Sequence, residues 1–271
     1  MIDKTNFNSS SFDSFDINLV QKEVDGGNIQ KEQIDSIREY PEAKSIIISG
    51  LKQDTFSYFI QKYGNQFEAI SFWKNKMVSD LYELGSLKGI KYINYFFNQK
   101  ASSLWDMKKN NNLIGLGIYD FSKLHNIESI QEAKNLEVFC LGNMVWSKME
   151  IESFRPIVNT NITHFEWCGK KVSDNDFKCL SRSKIEILDI NPTQFTVDEL
   201  TDLLSLFPET LSGIITKPYR TMGIKDNKGY TVYNYLCKHK KTCVVGKDDE
   251  RFQKYLQEFE EILIKKRTPN M

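Results

Sequence analysis

Short apolar segments recur along this chain at a nearly constant interval. Eight seven-residue segments share the pattern: AKSIIIS from Ala43, FEAISFW from Phe67, IKYINYF from Ile90, LIGLGIY from Leu113, LEVFCLG from Leu136, ITHFEWC from Ile162, IEILDIN from Ile185 and LSGIITK from Leu211. Their first residues are separated by 24, 23, 23, 23, 26, 23 and 26 residues. Because a βαβ unit needs about 30 residues or more, this short, even period favours a solenoid of stacked repeats.

The apolar residues occupy fixed places within these segments. Counting the first residue as offset zero, offsets zero, three and five are apolar in almost every segment. Side chains alternate along a strand, so offsets three and five are predicted to point into the core. Offsets two, four and six then point to the opposite, open face of the sheet, which we call the outer face.

The segments resemble the strand motif L-x-x-L-x-L of the leucine-rich-repeat family, as in Leu113, Leu116 and Ile118. The resemblance covers roughly residues 43–217. It implies an α/β solenoid with a parallel sheet on its concave side, short helices on its convex side, helical caps and a protein-binding habit. The family's asparagine at offset eight is present only as Asn75 and Asn98, so the asparagine ladder is not expected to run the full length.

Three regions are predicted. Residues 1–42 form an N-terminal tail and cap, with 1–20 loose and a helix over 29–40. Residues 43–217 form the solenoid of about eight repeats. Residues 218–271 form a C-terminal cap, in which TCVV from Thr242 is a candidate strand and the last 20 or so residues have the apolar spacing of a helix.

Hydroxyl and acidic residues three positions apart follow several strands, as in N-terminal helix caps. The pairs are Ser103/Asp106, Ser147/Glu150, Ser173/Asp176 and Thr196/Glu199. Each repeat is therefore predicted to run strand, turn, short helix.

The charge and cysteine content limit the functional classes. Lys+Arg and Asp+Glu both number 36, so overall charge gives no argument for nucleic-acid binding. Residues 211–271, however, hold 13 basic and 7 acidic residues, which leaves nucleic-acid binding by this end as an alternative to a solvated helix face. The five widely spaced cysteines are typical of reduced thiols. With no signal-peptide pattern and no membrane-spanning run, we expect a cytoplasmic protein without a membrane partner.

Aromatic residues line the predicted outer face. Trp73, Phe96 and Tyr119 share offset six on three successive strands, and Tyr92 lies beside them. Exposed aromatic side chains bury a large area with little loss of entropy, so we expect them to anchor a partner. The alternative is that the N-terminal segment folds over them.

Acidic residues follow further along the same face. Glu166 and Asp189 share offset four on adjacent segments, and His164 lies on the strand of Glu166. We expect these residues to bind a protein partner with a basic surface, as part of a non-enzymatic binding scaffold. A cytosolic immunity or inhibitor protein for a toxin enzyme is a hypothesis by analogy. A solvated surface and a hydrolase that uses Glu166, Asp189 and His164 are the alternatives.

No motif indicates a cofactor or a metal. The chain lacks G-x-x-x-x-G-K-[ST], H-E-x-x-H and G-x-S-x-G. Gly115 and Gly117 form only a G-x-G inside a strand, where they predict a flat place on the outer face. Cys237, His239 and Cys243 provide three candidate ligands at loose spacing, where a structural zinc site needs four.

Overall fold

The computed structural model describes residues 2–145, 148–226, 229–238 and 241–268. The chain divides into two compact units, Met1–Lys184 and Ile185–Met271.

The first unit is built on a parallel sheet whose strands follow chain order. Its strands are β1 (Ile17–Leu19), β2 (Ser45–Ser49), β3 (Ala69–Trp73), β4 (Tyr92–Asn98), β5 (Gly115–Phe121), β6 (Val138–Gly142) and β8 (His164–Cys168). A separate parallel pair joins β7 (Glu150–Ile151) to β9 (Lys171–Val172). Within the first unit, six of the eight predicted segments are strands of this sheet. The predicted fold class, an α/β leucine-rich-repeat-like solenoid, is confirmed by this order and by the in-register pairing.

The inner face of the sheet holds the core, as predicted for offsets three and five. Phe72 and Tyr95 are fully buried at offset five of neighbouring strands, with stacked rings 4.9 Å apart. Further along, Trp167 lies edge-on to Phe154 at 5.2 Å. Stacked aromatic and aliphatic side chains therefore join one repeat to the next, since no single repeat could bury them alone.

The segments that return from one strand to the next are mostly 3-10 helices. The α-helices of this unit are α1 (Lys31–Ile34) and α2 (Gln53–Tyr63). The 3-10 helices are Phe12–Ser14, Asp35–Glu39, Gly64–Gln66, Tyr82–Ser86, Glu128–Glu132, Arg155–Ile157 and Phe177–Arg182. The helix predicted over 29–40 is present as α1 and the 3-10 turn after it. Elsewhere a short 3-10 turn usually takes the place of the predicted helix.

One of the predicted helix caps, Thr196/Glu199, is present, whereas at Ser173/Asp176 the N-cap is Asp176 and not Ser173. Asp176 accepts a hydrogen bond from the Cys179 N–H at the start of a 3-10 helix, and Thr196 and Glu199 form a complete capping box. The Ser103/Asp106 prediction is wrong, because Asp106 accepts from Lys108 N–H in a turn. Glu150 lies in a strand, and Ser147 lies outside the described residues.

The asparagine ladder is short. Asn75 and Asn98 are fully buried, and their amide groups donate to the carbonyls of Ile48 and Asn75 respectively, each in the preceding repeat. A further buried asparagine, Asn110, donates to the carbonyls of Leu84 and Leu87. Sequence reasoning missed Asn110, because it lies outside the offset at which the family places its asparagine.

The second unit begins with strand β10 (Ile187–Ile190), the seventh predicted segment. The eighth segment is not a strand. Ser212 makes a single parallel bridge to Ile187, and Ile214–Thr216 is a 3-10 helix. Gly213 has φ +107°, so the backbone turns away where a strand would continue.

The rest of this unit contains helices and an antiparallel sheet. Its elements are the 3-10 helix Pro192–Gln194, α3 (Val197–Leu204), β11 (Tyr219–Asp226), β12 (Gly229–Leu236), β13 (Thr242–Val244) and α4 (Asp249–Arg267). The sheet has the order β11-β12-β13. The predicted strand at Thr242 and the terminal helix are both confirmed.

All five cysteines are free thiols. None of the helices within the described ranges is both long and apolar enough to cross a membrane.

Candidate binding site on the outer face of the sheet

The strand register brings the predicted aromatic residues side by side. Trp73 pairs with Phe96, and Phe96 pairs with Tyr119, on three consecutive strands. The Trp73 and Phe96 ring centroids are 4.4 Å apart. The row of aromatic side chains on the outer face is therefore present.

This row is covered by residues 2–16 of the N-terminal region, which we call the cover. Phe12 meets Trp73 edge-on at 4.9 Å, and Phe7 stacks on Tyr92 at 5.7 Å. The prediction that residues 1–20 are loose is therefore wrong for residues 2–16, and Met1 lies outside the described residues. This polar segment contains scattered apolar residues, and these side chains pack against the sheet and hold the segment there.

The prediction that the aromatic row is exposed is wrong for Phe96 and Tyr119, which lie beneath the cover. Phe96 is 3% exposed and Tyr119 1% exposed, while Trp73 and Tyr92 are half-buried. These side chains form a second apolar cluster on the outer face, separate from the core beneath the sheet. Alternation placed them on the correct face, but the cover removes them from solvent.

Gly115 makes room for the cover. A Cβ at this position would lie 2.8 Å from an edge carbon of the Phe7 ring. The G-x-G therefore provides a flat place, as predicted, and an aromatic ring of the cover occupies it.

A polar network marks one border of the cover. Asn8 donates from Nδ2 to the Tyr119 hydroxyl at 2.9 Å, and this hydroxyl donates to Glu166 Oε1 at 3.2 Å. Burial raises the pKa of Tyr119 far above its ordinary value, so this phenol remains protonated and donates its hydrogen. Lys4 and Glu137 add an ion pair of 3.3 Å between the cover and the sheet.

Strand β8 carries the outer-face residues beyond this border. His164 and Glu166 are half-buried, and Cys168 is exposed. The Cys168 thiol lies 3.8 Å from Glu166 Oε1. Although the residue as a whole is exposed, partial desolvation of its sulfur and the charge of Glu166 raise the pKa of Cys168 to about 12. The strand therefore presents a carboxylate, an imidazole and a protonated thiol.

Asp189 belongs to the second unit. Its Oδ1 accepts a hydrogen bond of 2.8 Å from Ile214 N–H, so this unit's own backbone holds the carboxylate in place. Asp189 is half-buried, and the neighbouring Ile187 is 38% exposed.

The described residues offer no metal centre. Among them, no group of three or more His, Cys, Asp and Glu side chains could hold a metal ion. Cys237 and Cys243 are both buried, and the third residue of that candidate cluster, His239, lies outside the described residues.

Sequence reasoning missed a small groove at the carboxyl end of the main sheet. Its volume is about 250 Å³, and Phe97, Asp120 and Phe121 contribute to its lining. The Asp120 carboxylate accepts hydrogen bonds from the backbone N–H groups of Met144 and Val145. Asp120 therefore serves to hold the following loop.

Among solved structures, the chain is similar to an internalin (inlF) from Listeria monocytogenes str. 4b F2365. The two share 13% sequence identity with a TM-score of 0.46, and the match covers 68% of this chain and 56% of the internalin chain. This chain thus matches little more than half of the internalin's length. No family model matches the sequence, and no curated protein matches it. The fold assignment rests on the strand order and register described above.

Proposed function

We propose that this protein is a non-enzymatic scaffold that binds a protein partner through the uncovered part of its outer face. The surface we assign is strand β8, with Glu166 as the charged contact and His164 and Cys168 beside it. The observation that carries the proposal is the difference in exposure along one face, because the cover buries Phe96 and Tyr119, whereas Glu166 is half-buried and Cys168 exposed on β8.

The charge of this surface indicates the chemistry of the partner. Glu166 is held by the hydrogen bond from Tyr119, so its carboxylate is fixed in place before a partner arrives. A fixed carboxylate suits a Lys or Arg side chain of the partner, since little further ordering is needed on binding. The partner is therefore a protein with a basic surface.

The thiols of this surface argue for binding rather than catalysis. A cysteine nucleophile reacts as its thiolate. Burial, together with Glu166, raises the pKa values of both Cys140 and Cys168, so neither carries an activated nucleophile at neutral pH. Tyr119 is likewise kept protonated, as described above.

An inhibitor of another enzyme is a special case of this proposal. A carboxylate surface could occupy a basic substrate groove, as an immunity protein does for a toxin enzyme. If the captured partner is an enzyme, its turnover should fall when this chain is added, and Glu166→Gln should restore the turnover.

The test is quantitative co-purification from the native cell with matched variants. Glu166→Gln removes the charge but keeps an oxygen that accepts from Tyr119, so the fold should be retained. Glu128→Gln makes the same change at an exposed residue on a 3-10 helix away from the outer face. The proposal predicts a protein that the wild type and Glu128→Gln both capture and that Glu166→Gln and His164→Ala lose. Equal capture by all four forms would contradict it.

A contribution of Asp189 to binding of the partner is a separate prediction. Asp189→Asn keeps the oxygen that accepts from Ile214 N–H, so the variant should fold. Reduced capture of the same partner would support a role for Asp189, and unchanged capture would remove it from the binding surface.

A further inference from the structure

The basic excess near the C-terminus lies in the antiparallel sheet and its connections. Residues 217–247 hold eight Lys and Arg residues and one acidic residue, whereas residues 248–271 hold five and six. Two of the three cations in the last turn of α4 are also neutralised. Lys266 pairs with Asp198 and Asp202, and Arg267 pairs with Glu209. The sequence leaves nucleic-acid binding by the basic C-terminal end open as an alternative. Because the basic excess lies before α4, this alternative now concerns the strands that precede the helix.

One face of this sheet is packed, and the other is open. On the packed face, Tyr219 meets Phe252 of α4 edge-on at 4.8 Å, and Asn234 and Cys243 are buried. Residues of the open face pair across the strands, Arg220 with Tyr235 and Met222 with Tyr233.

The open face exposes planar and apolar groups. Met222 is 42% exposed, and Tyr233 and Tyr235 are partly exposed with ring centroids 6.2 Å apart. Soluble proteins seldom leave such a face open unless it meets a partner.

Basic side chains lie together at one end of this open face. A groove of about 390 Å³ is lined by Arg220, Lys238 and Lys241 together with the Tyr235 ring, and no carboxylate of the described residues lines it. Lys238 is paired with Glu199. Arg220 and Lys241 make no ion pair with any residue in the described ranges.

We propose that this open face binds single-stranded nucleic acid. Phosphates would pair with Arg220 and Lys241, and bases would stack on Tyr233 and Tyr235. A basic groove next to stacking rings is how single strands are bound without sequence preference. In a duplex, the bases are already stacked on one another, so no base face would be available to stack on the two tyrosine rings.

The test uses the full-length chain and the fluorescence anisotropy of labelled oligo(dT) and oligo(U). A duplex of the same length and poly-glutamate serve as competing ligands. Arg220→Gln combined with Lys241→Gln should weaken binding about tenfold or more. The same pair of changes should reduce the slope of log affinity against log salt by about 1.4, because each single-strand phosphate contact contributes roughly 0.7. The matched control is Lys254→Gln combined with Lys265→Gln, which removes the same charge from exposed positions on α4.

The tyrosines provide a second readout. Tyr233→Ala and Tyr235→Ala should each weaken binding about fivefold or more without changing the salt slope, and Tyr235→Phe should restore it, because a stacked base needs only the ring. Comparison of the two oligonucleotides identifies the preferred sugar. Glu166→Gln should leave oligonucleotide binding unchanged, which separates this test from that of the proposed function.

Three results would overturn the proposal. The first is no binding of either oligonucleotide at low salt. The second is an equal loss of affinity in the α4 control. The third is binding of poly-glutamate or duplex as tight as that of the single strands, with the tyrosine variants unaffected.

Discussion

The two ends of the outer face of the first unit differ in exposure although their residues occupy equivalent strand positions. Phe96 and Tyr119 at offset six are almost completely buried, whereas Cys168 at the same offset is exposed. The difference arises from residues 2–16, which lie far away in sequence and dock on only part of the sheet. Strand alternation thus determines the side to which a residue points, and a separate segment determines whether solvent reaches it.

Under the proposed function, the difference also separates stability from recognition on a single surface. At the covered end, aromatic side chains serve as packing, because the cover supplies rings that match them. At the open end, the outer-face side chains of β8 are polar or charged; His164 and Glu166 are half-buried and Cys168 is exposed. The predictions below test this division, beginning with the largest expected effect.

The two outer-face thiols should react very differently. Cys140 is buried at the covered end and should resist alkylation in the folded protein, while Cys168 is reachable. The pKa of Cys168 is raised from its ordinary value of 9.0 to about 12, so much less of this thiol is ionised at neutral pH than of a free thiol. Its reaction with iodoacetamide, followed by mass spectrometry, should accelerate about tenfold per pH unit well beyond pH 9.

Glu166→Gln sharpens this prediction. Loss of the carboxylate removes one of the causes of the raised pKa of Cys168, so this thiol should react faster at a given pH. A plateau near pH 9 in the wild type, or modification of Cys140 as fast as Cys168, would contradict the division.

Phe96→Ala should lower the free energy of unfolding by about 3 to 4 kcal/mol, because it leaves a cavity in the outer-face cluster. His164→Ala, at the open end, should cost less than about 1 kcal/mol. Urea denaturation measures both. A similar loss in the free energy of unfolding for the two substitutions would contradict the difference in burial between the two ends.

Phe7→Ala should cost about 2 to 3 kcal/mol, since the ring is 2% exposed and stacks on Tyr92. Hydrogen exchange should locate the loss, with faster exchange of the amides of residues 6–15. Tyr82→Ala removes a ring that is 72% exposed and should change neither quantity. Unchanged exchange in Phe7→Ala would show that this ring does not hold the cover.

Tyr119→Phe should cost about 1 kcal/mol, because the hydroxyl accepts from Asn8 and donates to Glu166. Combining it with Asn8→Ala should cost less than the two changes separately, since they share one hydrogen bond. Strict additivity in urea denaturation would argue against that bond.

The sequence predicts the repeat architecture better than its boundaries. The period and the alternation of residues such as Ile70 and Phe72 depend only on the chain's local pattern, and both are correct. The prediction fails at Gly213, where the segment keeps its apolar residues but the backbone turns. It also misses β1, whose three residues are too few to show a pattern.

The site was predictable in position but not in exposure. Offsets placed Trp73, Phe96 and Glu166 on one face, and the strand register confirms this placement. The cover could not be assigned, because Phe7 and Phe12 stand singly in a segment rich in Asn, Ser and Asp. Its docking depends on the fit of these rings to the sheet, which is a long-range property.

Zero-length carbodiimide cross-linking of the folded protein tests the cover most directly. Lys4 and Glu137 are 133 residues apart in sequence, and their charged groups lie 3.3 Å apart. Lys91 and Glu68, 2.6 Å apart on adjacent repeats, provide the internal control. We predict that mass spectrometry will find both linked peptides, and that Phe7→Ala will reduce only the Lys4–Glu137 product. A Lys91–Glu68 product without any Lys4–Glu137 product would contradict the docking of the cover on the outer face.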